Sequence, residues 1–384
     1  MIPITKVVFS DRESKAVAAV LRSGWVMQGP RVEAFERAVA AYVGARHAVA
    51  TSSCTSALHL AMILLDIGPS DEVIAPSLSF ISTANAVLYC GATPRFADIE
   101  YDTFNLDPAA LEAAISRRTK AVIPVDQIGL PADHARIARL AARHRLPVVE
   151  DAACALGAAY HGMRVGSLSR ISCFSFHPRK VITTGEGGMI TTDDDVLAAR
   201  ARVLRAQGAS RAVRQAEVFS DLGFNYRMTD LQAAIGLEQL KRLDGFIAQR
   251  RRLAERYHRA LGGLRGVRVP LAPPGVIHIY QSYLLRVTPE ARSGRDDVLA
   301  ALQKAGVGAK PSITAIHLEP LYRRRFGRIH LPVTERVARE GLLLPLYPSL
   351  THRDQDRVVR LLERLLGRRG VSSRRRTGQM LAVR

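Results

Sequence analysis

Short β-branched segments alternate with helical patterns through the first half of the chain. The strand-like segments are AVATS, EVIAP, TPRFAD, KAVIPV, LPVVED, ISCFSF and GGMITT. Between them, segments such as SALHLAMILL and DHARIARLAARH repeat apolar residues at helical spacing. This alternation predicts an α/β fold in which helices cover both faces of a mostly parallel sheet. Such sheets bind ligands at the carboxyl ends of their strands, so we expect functional residues in the turns that follow the strands.

The pattern changes at Thr229, where a long helical run begins, DLQAAIGLEQLKRLDGFIAQRRRLAERYHRAL, which predicts a connector between two domains. The region beyond it contains a strand, YQSYLLRV, a helix, DDVLAALQKAG, and a final helix, HRDQDRVVRLLERLL. A chain of 384 residues is also longer than the chains that usually fold around a single hydrophobic core. We therefore expect a large domain over residues 1–245 and a smaller α+β domain over residues 246–366.

The chain is strongly basic, with a formal net charge of +20. Residues 367–384 contain six arginines and no acidic residue, and this composition predicts a disordered tail. The remaining charge is spread along the chain without a recognised nucleic-acid-binding motif, so nucleic acid is not an expected partner. A basic surface also attracts anionic small molecules such as nucleotide diphosphates.

Other bulk features predict a cytoplasmic protein without a membrane span. The apolar runs are far shorter than the roughly 20 residues that cross a bilayer. The amino terminus, MIPITKVVFSDRESK, lacks the charged-then-apolar pattern of a secretory signal. The four cysteines, Cys54, Cys90, Cys154 and Cys173, show no CxxC spacing, so we expect neither a disulfide framework nor a metal site.

Three segments carry candidate chemistry. In ISCFSFHPRKVITTGEGGMITT, Lys180 lies on a turn between two strands, where desolvation would lower its pKa and make it a nucleophile for a Schiff base, although a lone lysine is more often solvated. At the end of LPVVED, Asp151 could face a cationic ring nitrogen or simply cap a helix. In TSSCTSALHLAM, Ser52 to Ser56 precede a helix whose unpaired N–H groups could bind a phosphate or be only a capped helix start.

These segments, in this order, resemble the DegT-type sugar aminotransferases, a branch of the fold-type-I enzymes that use pyridoxal phosphate (PLP). The resemblance runs from about Ile4 to Leu366 and includes SGWVMQGPRVEAFE, FISTANAVLYCGATPRFADI, GFNYRMTDLQAAIG and LLLPLYPSLT. It implies an aspartate aminotransferase-like fold with a seven-stranded sheet in the large domain. It also implies a homodimer with shared active sites.

The resemblance further implies roles for individual residues. Lys180 would form the Schiff base with PLP, and Asp151 would partner the ring nitrogen. The other implied cofactor-binding positions are Cys54, Thr55, Ser56, Phe80, Cys154, Ser175 and Asn225. Among these, Phe80 would stack on the ring and Asn225 would reach the phosphate from the neighbouring subunit. Thr55, Ser56 and Ser175 would bind the phosphate within the same subunit.

The chain departs from the family pattern at several positions. Cys154 stands where relatives usually have Gln or His on the ring oxygen, and a thiol is a weaker donor. Asp126 follows Val125 where many relatives have Val-His, and residues 204–208 read LRAQG where relatives often read LRxHG. The candidates for the sugar pocket are Trp25, His317 and Tyr322, although Trp25 could equally be a packing residue.

The implied activity is the transfer of an amino group from an amino acid, expected to be glutamate, to the ketone of a nucleotide-linked deoxysugar. Lys180 would carry the proton in both halves of the reaction. One alternative is an aminocyclitol aminotransferase that acts on a keto-inositol. A sugar dehydratase is disfavoured because such relatives usually replace the lysine with histidine. A non-catalytic PLP-binding regulator that uses the basic tail is a third alternative. The nucleotide, the ring carbon and the stereochemistry are left open by the sequence.

Overall fold

A computed structural model describes residues 1–210 and 218–367 of the chain. Thirteen α-helices lie in this part of the chain: α1 Asp11–Ser23, α2 Pro30–Val43, α3 Cys54–Leu64, α4 Ser82–Tyr89, α5 Pro108–Ala114, α6 His134–Arg143, α7 Asp195–Arg205, α8 Asp230–Leu240, α9 Leu243–Leu261, α10 Arg295–Lys304, α11 Pro320–Phe326, α12 Pro332–Glu340 and α13 His352–Leu366.

The same residues form sixteen strands: β1 His47–Thr51, β2 Glu72–Pro76, β3 Thr93–Ala97, β4 Thr119–Val122, β5 Val149–Asp151, β6 Ala159–Tyr160, β7 Met163–Arg164, β8 Ile171–Ser175, β9 Gly188–Thr192, β10 Ala209–Ser210, β11 Val218–Phe219, β12 Val267–Arg268, β13 Val276–Ile277, β14 Tyr283–Val287, β15 Lys310–Pro311 and β16 Gly341–Leu344.

The seven strand segments predicted from the sequence lie in two adjoining sheets. One sheet has the order β1-β9-β8-β5 and the other the order β3-β2-β4. Parallel bridges from Val122 to Val148 and from Val125 to Asp151 join them edge to edge. The pairs β5–β8, β2–β3 and β2–β4 are parallel, whereas β9 runs antiparallel to both of its neighbours. The predicted α/β class with a mostly parallel sheet is confirmed.

Helix α3 shows why the local sequence folds as it does. Ser53 caps the helix, with its side chain accepting from the Ser56 N–H, and extended backbone precedes it. From Ala57 to Leu64 every residue except His59 is apolar, and Leu58, Leu60 and Met62 are almost fully buried. A helix that is apolar on all sides is stable only inside a core, and α3 accordingly packs against α4, α7 and the sheet.

The carboxyl-terminal region has a core of its own. Its sheet has the order β12-β14-β16-β15, and α10 and α13 pack nearby. Ile2 pairs with Val307 and is buried in this core, so the first residues of the chain belong with its last third. The buried residue Arg250 of α9 donates to the carbonyls of Gln281 and Leu346, both at 3.0 Å, and this ties the helix to the second region.

The predicted long connector is two helices rather than one. Helix α8 ends at Leu240 and α9 begins at Leu243. At the break, the Arg242 guanidinium donates to Glu13 Oε1 at 2.9 Å and to the Val8 carbonyl at 3.3 Å. These contacts with the amino-terminal segment accompany the break, which the predicted single helix did not include. The predicted domain boundary at residue 245 therefore falls near the start of α9.

Two further predictions concern the periphery of the molecule. Within residues 1–210 and 218–367, no helix combines the length and the hydrophobicity that crossing a bilayer requires. The basic tail, predicted over residues 367–384, lies outside the described residues from residue 368 onward.

Candidate active site

Lys180 and Asp151 lie at the same edge of the sheet. Asp151 is the last residue of β5, and Lys180 lies in the loop after β8, the parallel neighbour of β5. Parallel neighbours end at the same edge, so the loops that follow them meet. There the Lys180 Nζ donates to the Cys154 Sγ at 3.1 Å. The amine therefore points inward, toward the turn that follows Asp151.

The electrostatics of Lys180 differ from the prediction. Burial lowers the pKa of its ammonium group, but the Cys154 and Cys54 sulfurs and the Asp151 carboxylate raise the pKa, and the net shift is upward. The prediction of a lowered pKa rested on desolvation alone. It is wrong because these acidic neighbours favour the charged amine.

Asp151 is buried and held by two donors. The Thr83 Oγ1 donates to its Oδ2 at 2.7 Å, and the Ala153 N–H donates to its Oδ1 at 3.2 Å. Burial raises the pKa of this carboxyl group, with Thr83 and Lys180 opposing the shift. The residues after Asp151 form turns, so the helix-cap alternative is wrong. A cation facing this carboxylate would offset the cost of burying its charge.

The start of α3 supplies hydroxyl groups and free backbone donors. Cys54, Thr55 and Ser56 form its first turn rather than preceding it, and their N–H groups lack the i−4 partners of a helix interior. The Ser56 Oγ lies within 3.0 Å of the Ser52 and Ser53 hydroxyls, and the Thr55 Oγ1 lies 2.8 Å from the Ser82 Oγ. A helix amino terminus of this kind attracts an anion such as phosphate.

Gly188 allows strand β9 to reach this helix start. A Cβ atom at Gly188 would lie 2.3 Å from the Ser53 oxygen and 2.6 Å from the Cys54 nitrogen, so no larger residue fits. In the sheet, Gly188 pairs with Ser175, the last residue of β8. The Ser175 Oγ accepts from the His177 N–H at 3.3 Å. The close approach therefore brings Ser175 toward the first turn of α3.

Phe80 and Asn225 are both exposed in the single chain. Phe80, between β2 and α4, leaves 69% of its surface open. Asn225 forms a β-bridge with Ala206. The backbone carbonyl of the next residue, Tyr226, accepts from the Ser52 N–H at 2.7 Å. The segment that carries Asn225 thus runs beside the α3 start of its own chain. The role of Asn225 in a neighbouring subunit stays a prediction.

The candidate sugar-pocket residues have other places in the fold. His317 is buried, and its Nδ1 lies 2.6 Å from the Ser77 Oγ. The buried Tyr322 donates to the Asn85 Oδ1 at 2.6 Å. Both side chains tie the carboxyl-terminal region to the segments around Phe80 and offer little surface to a substrate. Their assignment to substrate binding stays a prediction.

Trp25 is half-exposed, and its Nε1 donates to the Gln28 carbonyl at 3.2 Å. It lines a groove of about 1010 Å³ along α2, β1 and α7. Lys180 lies instead on the loop after β8, beside Cys154. Within one chain, Trp25 therefore belongs to a different surface from the one that Lys180 faces.

Sequence reasoning gave no role to Thr83 or Gly188. Thr83 lies within the segment FISTANAVLYCGATPRFADI, in the first turn of α4, and a hydroxyl residue near a helix start that follows a strand was the available signal. Gly188 was visible as one of several glycines after Lys180. Only the three-dimensional approach of β9 to α3 shows which glycine is sterically required.

The site combines a buried carboxylate, an inward-pointing lysine, a helix start with free donors and an open aromatic face. This donor set fits PLP, because each polar or charged part of that cofactor finds a complementary group: Asp151 for the ring nitrogen, Lys180 for the aldehyde, and α3 with Ser175 for the phosphate. The site is that of a fold-type-I PLP enzyme.

Comparisons with known proteins agree with this class. The model of the DegT/DnrJ/EryC1/StrS aminotransferase family matches residues 8–363. The GDP-perosamine synthase of Caulobacter vibrioides is 43% identical over 357 residues, covering 92% of this chain and 95% of that protein. The chain belongs to the DegT/DnrJ/EryC1/StrS aminotransferase family.

Solved structures extend the agreement to the fold. DesV of S. venezuelae, in complex with a ketimine intermediate, superposes with a TM-score of 0.88 at 36% identity, covering 94% of this chain and 98% of that chain. Spr1654 of Streptococcus pneumoniae in its PLP form gives a TM-score of 0.90 at 28% identity, covering 95% and 99%. The chain is a PLP-dependent sugar aminotransferase of amino-sugar biosynthesis.

Proposed function

We propose that this enzyme transfers the amino group of glutamate to the ketone of a nucleotide-linked sugar. The observation that carries the proposal is the inward-pointing Lys180 amine, held at 3.1 Å from Cys154 beside Asp151, in a member of a sugar aminotransferase family. The name of the Caulobacter relative, GDP-perosamine synthase, makes a GDP-linked keto-sugar the first acceptor to test.

When bound, PLP supplies an electron-accepting ring that stabilises negative charge at the Cα of an amino acid. Asp151, buried and aligned by Thr83, would place its carboxylate at the ring nitrogen and hold a proton there. The α3 donors and Ser175 would bind the phosphate, and the exposed face of Phe80 would offer a surface for stacking. Together these residues would hold the ring in one orientation before a substrate binds.

Lys180 is the proton carrier of the proposed reaction. With its amine free, Lys180 would take the proton from the Cα of the amino donor at its Nζ, and in the second half-reaction it would deliver a proton to the carbon that receives nitrogen. A flexible side chain on a loop after β8 can reach both positions. Because one site serves both half-reactions, ping-pong kinetics follow.

The same proposal includes a homodimer in the cytoplasm. Trp25, Val26 and Met27 are consecutive and exposed, and Phe80 and Asn225 are exposed beside the phosphate-binding segments. Consecutive exposed apolar residues favour burial against another surface, and a second copy of the chain would cover them. Sedimentation measurements on the purified enzyme test this assembly, and a monomer at working concentration would contradict it.

The test of function uses purified enzyme loaded with PLP. We expect a visible absorbance band that changes when glutamate is added, and amination of a nucleotide-linked keto-sugar detected by mass spectrometry. Lys180→Ala should lose both responses, while Lys241→Ala, which removes an exposed lysine, should keep them. Turnover by Lys180→Ala at the wild-type rate would refute the assignment.

The acceptor panel separates the remaining alternatives. Amination of a free keto-inositol in preference to nucleotide-linked ketones would identify an aminocyclitol aminotransferase. Binding of PLP without any half-reaction, whichever amino donor is offered, would favour the non-catalytic regulator. Omitting the nucleotide from an otherwise accepted keto-sugar should raise KM strongly, because the phosphates would no longer meet the basic surface.

A further inference from the structure

Three ionisable residues lie together on the face of β5 opposite to the Asp151 side chain. Glu150 directly precedes Asp151, and successive residues of a strand point to opposite faces. We call the side of Asp151 the front face of β5 and the side of Glu150 its rear face. On the rear face, the His134 Nε2 lies 2.9 Å from the Asp126 Oδ1 and 3.1 Å from the Glu150 Oε1.

All three side chains are buried, with exposed fractions of 5% for His134 and 0% for Asp126 and Glu150. The Asp126 Oδ1 also accepts from the Ala132 N–H at 2.8 Å, and the Glu150 Oε2 accepts from the Gly166 N–H at 3.1 Å and from the Ser172 hydroxyl. The Asp126 Oδ2 has no hydrogen-bond partner among the described residues, and the nearest polar group to the Glu150 Oε1 is the His134 Nε2 at 3.1 Å. Two buried carboxyl groups thus share a single cation.

The cluster is mechanically connected to Asp151. The Asp126 N–H donates to the Asp151 carbonyl at 3.1 Å, and Val125 and Asp151 form a parallel bridge. Glu150 and Asp151 are neighbours in the chain. A charge or a displacement in the cluster therefore acts on the residue that faces the cofactor ring.

We propose that Asp126, His134 and Glu150 form a proton-sharing unit of zero net charge behind Asp151, and that this unit positions Asp151 and keeps the buried negative charge near the cofactor ring at one. The unit contains one imidazolium, one carboxylate and one protonated carboxyl group. These are positioning residues, because they act through Asp151. The proposal rests on the role given to Asp151 under the proposed function.

Physical chemistry favours this protonation state. Burial lowers the pKa of His134, but Asp126 and Glu150 outweigh it and raise the pKa to about 9. Burial raises the pKa of Glu150 to about 8, with His134 opposing the shift. Two carboxyl groups that share one buried cation retain a proton between them, because a second carboxylate would leave one negative charge buried with neither a partner nor solvent. At neutral pH the three charges therefore sum to zero.

Four further ionisable groups lie near the unit. The ionisable groups beside it are Asp133 before α6 and Tyr160 of β6, and Asp151 of β5 and Cys173 of β8 lie on the opposite face of the sheet but close enough to interact with its charges. Asp133 accepts from the Tyr160 hydroxyl at 2.8 Å and favours the imidazolium. Asp126, which stands where many relatives have histidine, is a member of this unit.

The first measurement is a titration of His134 in the enzyme with its own sequence. In the PLP-loaded enzyme with labelled histidine, the His134 ring should titrate with a midpoint near 9 by nuclear magnetic resonance, assigned by its loss in His134→Gln. A midpoint at or below the ordinary value of about 6.5 would overturn the proposal. Elemental analysis should find no stoichiometric divalent metal, because a metal held by these three side chains would displace the shared protons.

The second measurement tests how the net charge of the unit affects the cofactor. His134→Gln leaves one negative charge behind Asp151, so the pH midpoint of the visible absorbance of the Lys180-bound cofactor should rise by about one unit, tenfold in proton affinity. The double variant His134→Gln with Asp126→Asn restores zero charge and should return the midpoint to the wild-type value. Exposed His144, replaced by Gln, is the matched control and should change nothing.

The double variant separates charge from structure. A merely structural role predicts that two substitutions displace the midpoint at least as far as one does, and that outcome would refute the proposal. An unchanged midpoint in His134→Gln would refute it as well. No acceptor sugar enters these assays, so failure to aminate any keto-sugar counts against the proposed function alone. If the protein does not take up PLP, the histidine titration still decides the protonation of the unit.

Discussion

The front and rear faces of β5 each bury a carboxylate, and they stabilise it by different means. On the front face, Asp151 receives hydrogen bonds from Thr83 and Ala153, and the structure leaves it to meet a cationic ring. On the rear face, Glu150 shares His134 with Asp126 within the protein itself. Neutral donors on one side and an internal cation on the other show how a strand can present a single charge to a ligand while burying several ionisable groups.

The front face should be the more sensitive to loss of charge. Asp151→Asn keeps the shape but removes the carboxylate from the ring nitrogen, so we expect kcat to fall by about 10²-fold or more. Because burial raises the pKa of Asp151, the protein should unfold at the same temperature or a higher one. Steady-state kinetics and calorimetry test this. Glu150→Gln, its counterpart on the rear face, should reduce kcat far less, and equal losses in the two variants would contradict the distinction.

The phosphate-binding end of the front face can be broken sterically. Gly188→Ala forces a Cβ to within 2.3 Å of the Ser53 oxygen, so we expect PLP affinity to drop about tenfold or more. Fluorescence or absorbance titration with PLP measures the change. Gly68→Ala is the control, since nothing lies within 4 Å of the added atom. Wild-type affinity in Gly188→Ala would show that β9 and α3 can separate freely.

Stability against pH tests the rear face. His134 has a pKa raised to about 9, above its ordinary value of 6.5, so its contribution is present below pH 6.5 and is lost as pH rises toward 9. Glu150, raised from 4.5 to about 8, acts in the same direction over its own range. The wild type should therefore lose roughly 2–3 kcal/mol more than His134→Gln between pH 6.5 and 9. Chemical denaturation at each pH measures this, and parallel curves would contradict it.

A smaller effect should follow loss of the hydroxyl group that aligns Asp151. Thr83→Val removes the 2.7 Å hydrogen bond to Oδ2, which should cost about 1.5–3 kcal/mol in binding or transition-state stabilisation, whereas Thr83→Ser should stay near wild type. The ratio of kcat/KM values between the two variants gives the answer. If both lose activity equally, the methyl group rather than the hydroxyl group is the important part.

The smallest expected effect concerns Cys154. Its sulfur raises the pKa of the Lys180 amine, so Cys154→Ala should lower that pKa and speed the reaction of Lys180 with PLP at neutral pH, by about tenfold at most. Stopped-flow absorbance at several pH values checks the direction. A slower reaction in Cys154→Ala would mean that the main effect of the thiol is to position the amine rather than to raise its pKa.

Much of the fold and the principal site residues could be predicted from local sequence. Hydrophobic periodicity is a local property that can be read within about a dozen residues. It was sufficient to predict the seven strand segments, the apolar helix α3 and the amphipathic helix α13. Lys180, Asp151 and the start of α3 follow strands or begin a helix, so the rule for parallel sheets brought them to one edge. Their combination, rather than any one residue, carried the family resemblance.

The tertiary structure decided what depends on distance between remote segments. His317 and Tyr322 contact Ser77 and Asn85, which lie more than 230 residues earlier in the chain. The break between α8 and α9, the upward pKa shift of Lys180 and the steric need for Gly188 likewise arise from neighbours that are distant in sequence. The sequence by itself determined which elements form and what chemistry they could carry. Only packing decided which ionisable side chains meet on the rear face of β5, since burial and the distances between charges are set by the assembled sheet.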